Sequence, residues 1–271
     1  FWVKFHFKTR QGIKNLTNTQ ASQIIAKDRE SNQRDLFESI EKGDFPSWDF
    51  KIQIMTLQQA KEVKFNPFDL TKTWPHKEFP LIDVGVMTLN ENPKNYFNEV
   101  EQAAFSPSNI VPGISFSPDK MLQARIFSYP DAQRYRIGTH YAQLDVNRPV
   151  SEVNTYVVGG AMNNGMYELD DKAYYEPNSF GGAKEDRALL EPDISIEGAM
   201  QRYDHRVEDQ DYYSQPRALF ELMSDEQKSQ LFIADSMEGV SEAIKERAIG
   251  HFEKISADYA NGIRAALKAK N

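Results

Sequence analysis

Cysteine is absent from the sequence, and its absence excludes several kinds of functional site. Disulfides, thiolate nucleophiles and cysteine-ligated metal or iron–sulfur centres cannot form, which leaves oxygen and nitrogen atoms as the only ligands for a metal. The absence also fits a cytoplasmic location, because disulfides are rare in that compartment.

An excess of positive charge and a long apolar run are missing as well. The net charge is -8 and the isoelectric point is about 5.3, so general binding to nucleic acid or to an anionic membrane is not expected. No apolar run approaches the roughly 20 residues that cross a bilayer, and no signal peptide is recognisable at the start. We therefore predict a soluble protein whose partners are small molecules or other protein chains.

The sequence contains enough apolar material for a core, with 271 residues, 40% hydrophobic and 12% aromatic. Residues 1–8 alternate between apolar and mostly polar side chains, which is the period of a half-buried strand. Because Phe1 already lies inside this pattern, we expect the natural chain to begin upstream. Alternation returns near 48–54 and 82–86, which predicts an antiparallel barrel or sheet whose earlier strands are missing.

Helical patterns lie in two regions of the chain. Thr17 with Gln20 resembles a capping box, and the apolar stripe that follows is closed by Gly43. Ser224 with Gln227 forms a second such box before helical spacing that continues to the end. The stretch between these regions has little periodicity and many aromatic residues, and we interpret it as an ordered arm.

One helix in the arm carries an unusual face. Ser117 as the cap and Pro118 as the first helical residue predict its start, and we expect it to cover 117–136. Polar and sulfur-containing side chains recur along a single stripe of this helix. They are Met121, Arg125, Tyr129, Gln133 and Arg136.

The pair of Arg125 and Tyr129, one turn apart, allows two interpretations. A guanidinium beside a phenol stabilises the phenolate, which could then bind a ferric ion. Spacing alone favours the other interpretation, an ordinary stack of arginine on an aromatic ring, because such pairs are common on helices.

A resemblance to a known family favours the first interpretation. The stretch Arg125-Ile126-Phe127-Ser128-Tyr129-Pro130-Asp131, followed by Arg134-Tyr135-Arg136, is similar to the proximal heme-ligand signature of the monofunctional heme catalases. Five further segments also resemble this family, namely 5–8, 11–16, 65–72, 92–97 and 99–107. The likeness weakens only at about 154–165 and in the final helices.

The resemblance implies an α+β fold with three parts. Residues 1–90 would form the second half of an antiparallel β-barrel with inserted helices, and 91–208 a long irregular wrapping arm that carries the proximal heme helix. Residues 209–271 would form a C-terminal helical domain. The implied assembly is a homotetramer of the small-subunit type.

The implied activity is the disproportionation of hydrogen peroxide to water and dioxygen through an oxoferryl intermediate, as part of an oxidative stress response. The distal catalytic histidine and asparagine would lie upstream of Phe1. Two alternatives stay open. One is a non-catalytic fragment that binds heme or NADPH and serves in assembly, and the other is a catalase-like heme enzyme that acts on organic peroxides.

Residue roles follow from the resemblance. Tyr129 would be the proximal iron ligand, Arg125 the partner that keeps it anionic, and Arg136 the partner of a heme propionate. Phe105 and Met121 would line the heme pocket, although either could belong to an ordinary core. Gln133, where many relatives have histidine, would also face the heme, and Ala124 stands where many have glycine.

A second cofactor, NADPH, is implied by four other positions. Lys8 and His76 could meet its phosphate groups, Trp74 could offer an apolar surface to the nucleotide, and Gln215 completes the set. Without the resemblance these residues would be a solvated strand lysine and an ordinary Trp-Pro-His turn. The sequence contains no glycine-rich phosphate loop of the dinucleotide-binding kind.

Overall fold

The computed structural model describes residues 1–151, 156, 173, 175–190, 200, 202, 204 and 211–269. Much of the expected wrapping arm, including the segment near 154–165, lies outside the described residues. The described part of the chain mixes helix and sheet, as expected. The division at 90 and 208 and the wrapping course of the arm stay predictions.

In the part of the chain that the structure describes, the sheet has three antiparallel strands, β1 (Trp2–Thr9), β2 (Ser47–Met55) and β3 (Ile82–Thr88), in the order β1-β2-β3. Within β1 and β2, Phe5 lies opposite Ile52, which brings apolar residues of both strands to one face. The pairing of β2 with β3 is interrupted by a register shift. The strands are where alternation predicted them, but the sheet is open rather than a closed barrel.

Three helices accompany the sheet: α1 (Asn18–Lys27), α2 (Ser31–Lys42) and α3 (Leu57–Glu62). The capping box predicted for α1 is confirmed, because the Thr17 side chain accepts from the backbone of Gln20 and the Gln20 side chain accepts from the backbone of Thr17. Helix α2 ends at Gly43, whose φ of 82° is readily adopted only by glycine.

The arm begins with a π-helical turn at Phe97–Glu101 and continues into α4 (Lys120–Arg136). Pro130 lies inside α4 and supplies no N–H to the turn before it. Short 3₁₀ turns follow at Tyr141–Gln143 and Arg187–Leu189.

The C-terminal helices are α5 (Ser214–Leu222), α6 (Asp225–Gln230), α7 (Glu242–Ile255) and α8 (Ala257–Lys268), with a 3₁₀ turn at Ala234–Met237. The capping box of Ser224 and Gln227 is confirmed at the start of α6. Ser256 ends α7 and caps α8, so the continuous helical pattern after Glu242 forms two helices.

The chain divides into two compact units. The first, which we call the sheet unit, comprises Phe1–Glu62, Phe68–Leu70 and Trp74–Ile196. The second, the helical unit, comprises Val63–Pro67, Thr71–Thr73 and Glu197–Asn271. Among the described residues, no helix is both long and apolar enough to cross a membrane.

Each unit has its own buried residues. In the helical unit, Met237, Ile249, Ala260 and Ile263 form one cluster. Among the described residues of the sheet unit, the buried apolar side chains are Met55, Trp74, Phe79, Ala104 and Ala173.

Candidate functional site

Helix α4 is positioned by an acidic cap. The Asp119 carboxylate accepts hydrogen bonds from the backbone nitrogens of Met121 at 2.8 Å and Leu122 at 3.0 Å. The predicted start at Ser117 and Pro118 is therefore wrong, and the first helical residue is Lys120. A charged carboxylate is a stronger acceptor than a hydroxyl and is favoured by the positive end of the helix dipole.

The pair predicted from one-turn spacing is formed on this helix. Arg125 Nη2 donates to Tyr129 Oη at 3.2 Å, and the guanidinium carbon lies 5.0 Å from the centroid of the tyrosine ring. Arg125 is exposed and Tyr129 is half-buried. The guanidinium thus directs an N–H at the phenol oxygen while covering part of the ring.

A turn further on, Gln133 and Arg136 hold the loop that follows the π-helical turn. Gln133 is 8% exposed, and its Nε2 donates to the carbonyl of Phe105 at 3.2 Å. Arg136 Nε and Nη2 donate to Gln133 Oε1 at 2.8 and 2.6 Å. Its Nη1 and Nη2 also donate to the carbonyls of Glu101 and Ala103, both at 2.7 Å. In this structure Arg136 therefore binds main-chain carbonyls.

Asn147 completes the same arrangement and was not identified from the sequence. Its Oδ1 accepts from the backbone nitrogen of Ala104 at 2.7 Å, and its Nδ2 donates to the carbonyls of Gln102 at 2.8 Å and Tyr141 at 2.9 Å. No local signal could have revealed it, because two of its three partners lie more than 40 positions earlier in the chain.

The two side chains expected to line a heme pocket are exposed. Phe105 is 83% exposed and Met121 is 53% exposed, so neither belongs to a packed core here. The structure brings Phe105 to Gln133 and Arg125 to Tyr129.

The heme implied by the resemblance fits these side chains. A phenol oxygen held in place by a guanidinium suits ferric iron, because a tyrosine oxygen is one of the axial ligands that heme iron takes. An aromatic ring and a thioether that are both exposed suit the faces of a porphyrin. The donor set and the apolar surface are therefore both present on α4 and the loop it holds.

Of the residues expected to bind NADPH, Lys8 lies on β1, on the same face of the strand as Lys4 and His6. His6 Nε2 hydrogen-bonds with Gln53 Oε1 at 2.9 Å, and the rings of His6 and His76 are 6.1 Å apart. Burial lowers the pKa of His6, its hydrogen bond with Gln53 opposes this, and the positive charges of Lys8, His76 and Lys4 lower it further. This face therefore concentrates cationic and imidazole groups.

Trp74 and Gln215 make contacts of their own. Trp74 is 3% exposed and packs against Phe79, with Lys4 Nζ 5.1 Å from its ring centroid. The apolar surface that Trp74 was expected to offer a nucleotide is thus covered in this structure. Gln215, in the helical unit, accepts from the Thr73 backbone nitrogen at 2.8 Å and donates to the Thr73 carbonyl at 2.9 Å.

Comparison with known proteins extends these observations to the whole chain. The family model described as Catalase matches residues 1–182, and the one described as Catalase-related immune-responsive matches residues 206–267. A catalase from Neisseria gonorrhoeae is 51% identical over 269 residues, covering 98% of this chain and 53% of that protein. Catalase A from Pseudomonas putida is 52% identical, and the match covers 98% of this chain and 56% of that protein.

Solved structures agree with the sequence relatives. A bacterial catalase structure is 38% identical with a TM-score of 0.86, covering 100% of this chain and 56% of that chain. Catalase A from Saccharomyces cerevisiae is 35% identical with a TM-score of 0.83, and the match covers 98% of this chain and 56% of that chain. The chain spans about half the length of the curated relatives it matches. Since one family model matches well over half of its residues, the chain belongs to the catalase family.

Proposed function

We propose that this chain is the C-terminal portion of a heme catalase and that Tyr129 is the proximal ligand of the heme iron. The observation that carries the proposal is the hydrogen bond from Arg125 Nη2 to Tyr129 Oη, at 3.2 Å. A tyrosine oxygen is the axial ligand that is already known for catalase heme, and the family membership of the chain supports the same assignment.

The residues of the chain bind and orient the cofactor. Arg125 donates to the phenol oxygen, which orients it, while its guanidinium covers one side of the Tyr129 ring. When bound, heme supplies the redox chemistry that converts two molecules of hydrogen peroxide into two of water and one of dioxygen. The exposed side chains of Phe105 and Met121 would pack against the porphyrin and keep water from it.

We also propose that Arg136 pairs with a heme propionate. Four of its five N–H groups donate to Gln133 and to the carbonyls of Glu101 and Ala103. The fifth, on Nη1, has no acceptor among the described residues. Its positive charge is not neutralised by a carboxylate in any of these contacts, and a propionate would supply one.

An N-terminal half must complete the enzyme in this proposal. No strand of the described part of the chain pairs with the outer edge of β1, and Phe1, Phe5 and Phe7 are 77%, 55% and 53% exposed. Upstream strands would pair with this edge and cover these rings, which would continue the sheet toward a barrel. That half would also bring the distal histidine and asparagine.

A homotetramer is part of the same proposal. Phe127 and Tyr135 on α4 are 76% and 85% exposed, and Phe127 lies about 160° around the helix from Tyr129. The apolar surface at Phe127 is therefore separate from the proposed heme face and suits packing between subunits. The cytoplasmic location stays a prediction.

The decisive experiment is an absorption spectrum of the heme-loaded assembly, in which this chain is combined with its N-terminal half. Tyr129→Phe removes the only atom through which that side chain could bind iron, so the spectrum of a tyrosinate-ligated ferric heme should be lost. Tyr135→Phe on the same helix is the matched control and should leave the spectrum unchanged. An unaltered spectrum in Tyr129→Phe would refute the assignment.

We propose NADPH as a second ligand, held through its phosphates by Lys8 and His76. The concentration of Lys4, His6, Lys8 and His76 around one face of β1 supports this site. In a fluorescence titration with NADPH, Lys8→Ala should weaken binding about tenfold by removing one charged contact. Lys42→Ala, an exposed lysine on α2, should not, and equal affinity in all three proteins would contradict the site.

A further inference from the structure

Phe105 combines an exposed side chain with a restrained main chain. Its ring is 83% exposed, whereas the main chain that leads to it is held at nearly every position. The carbonyls of Glu101, Gln102, Ala103 and Phe105 and the backbone nitrogen of Ala104 each hydrogen-bond with a side chain from outside the loop. A rigid backbone that presents an exposed aromatic ring loses little entropy when a flat ligand packs on it.

Among these side chains, only Gln133 donates to the Phe105 carbonyl. Its amide cannot turn over, because Oε1 accepts two hydrogen bonds from Arg136 and a reversed amide would set N–H groups against N–H groups. With Oε1 fixed, Nε2 points at the Phe105 carbonyl. At 8% exposure this donor has little access to water, so losing its acceptor would leave a buried polar group unsatisfied.

We propose that Gln133 is a positioning residue of the heme pocket, whose amide, oriented by Arg136, fixes the main chain at Phe105 and thereby the ring that packs against the porphyrin. This inference rests on the proposed function for the identity of the ligand. It assigns Gln133 a role through Phe105 rather than through direct contact with heme.

The test uses a nearly isosteric variant. Gln133→Glu keeps the acceptor for Arg136 but replaces the donor to Phe105 with a carboxylate oxygen that repels the carbonyl. Gln123→Glu is the matched control, since it makes the same charge change on α4, where Gln123 Nε2 donates to the Ser117 carbonyl at 2.9 Å. The readout is the rate at which ferric heme leaves the assembled protein for an excess of a heme-scavenging globin.

We expect Gln133→Glu to accelerate heme loss about tenfold and Gln123→Glu to leave it within about twofold of wild type. In a Phe105→Ala background, Gln133→Glu should add almost nothing, because the ring through which it acts is gone. Equal rates in Gln133→Glu and Gln123→Glu would overturn the inference. A tenfold effect that persists without the Phe105 ring would also overturn it, by showing direct action on heme.

A variant of Asn147, which binds the same loop, tests the inference even if Gln133→Glu does not fold. Asn147→Asp keeps the acceptor for Ala104 and loses both donors to carbonyls, so it should accelerate heme loss in the same Phe105-dependent way. If Asn147→Asp accelerates heme loss equally with and without the Phe105 ring, the positioning role is wrong. A Tyr129→Phe protein with an unchanged heme spectrum would instead contradict the proposed function.

Discussion

The core of the helical unit and the strands of the sheet unit expose their apolar side chains to very different degrees. In the helical unit, Ile249 and Ile263 are fully buried in a core that its own helices supply. In the sheet unit, Phe5 and Phe7 on β1 and Val84 on β3 are each more than half exposed. The difference teaches that the helices bury a core of their own, whereas the described residues leave these strand side chains uncovered.

The sheet supplies the largest expected effect. In the assembled protein, Phe5→Ala should lower the free energy of unfolding by about 3–5 kcal/mol, because the upstream half would bury the ring. In the chain alone it should cost under about 1 kcal/mol, the loss of the stacked contact with Phe50. Urea unfolding of both forms measures the difference, with Ile13→Ala, 79% exposed, as control. If Phe5→Ala lowered the free energy of unfolding equally in the two forms, burial of Phe5 by an N-terminal half would be contradicted.

The core of the helical unit should be sensitive in the chain alone. Ile249→Ala should destabilise the unit by about 2–5 kcal/mol, because it leaves a cavity where the side chain is fully buried. Ile244→Ala on the same helix, where the side chain is 46% exposed, should cost about 0.5 kcal/mol. The loss of helical circular dichroism in denaturant gives both values. Similar values would mean that the unit has no packed core.

Two helical glycines should respond with opposite signs. A Cβ at Gly262 would overlap the Phe232 ring, so Gly262→Ala should cost about 1–3 kcal/mol. A Cβ at Gly250 would meet no atom within 4 Å, and Gly250→Ala should stabilise the unit by about 0.5–1 kcal/mol. Thermal unfolding distinguishes the two, and a stabilised Gly262→Ala would refute the tight contact.

The smallest effect concerns acid. Hydrogen bonds from Ser214 and Tyr213 lower the pKa of Asp211 from 3.8 to about 2. Since the folded pKa is depressed, the resulting stability is fully present above about pH 4 and is lost as the pH falls toward 2. Because the carboxylate is exposed, solvent screens the effect. In Asp211→Asn, the free energy of unfolding of the helical unit should therefore fall slightly less between about pH 4 and pH 2 than in the wild type. An unchanged pH profile would contradict the lowered pKa of Asp211.

The features that the sequence could predict are contacts between residues close together in the chain. The capping boxes at Thr17 and Ser224 and the contact of Arg125 with Tyr129 depend on residues three or four positions apart, so spacing was sufficient. The start of α4 was misplaced because Ser117 and Asp119 both suit a helix cap, and only the backbone geometry decides between them.

The rest depends on distant partners. Asn147 binds a loop more than 40 positions earlier, and the burial of Trp74 depends on Phe79 and on Lys4 of β1. The same Trp-Pro-His sequence is compatible with an exposed or a covered ring, so the covered ring could not be foreseen. Alternation predicted where the three strands lie, but the open sheet and the exposure of its apolar side chains needed the structure.

The most direct test of the central claim is a crystal structure of the heme-loaded assembly of this chain with its N-terminal half. We predict that Tyr129 Oη coordinates the iron directly, with Arg125 still donating to the same oxygen. An iron bound through another side chain, or a Tyr129 oxygen that faces solvent away from the macrocycle, would contradict the account.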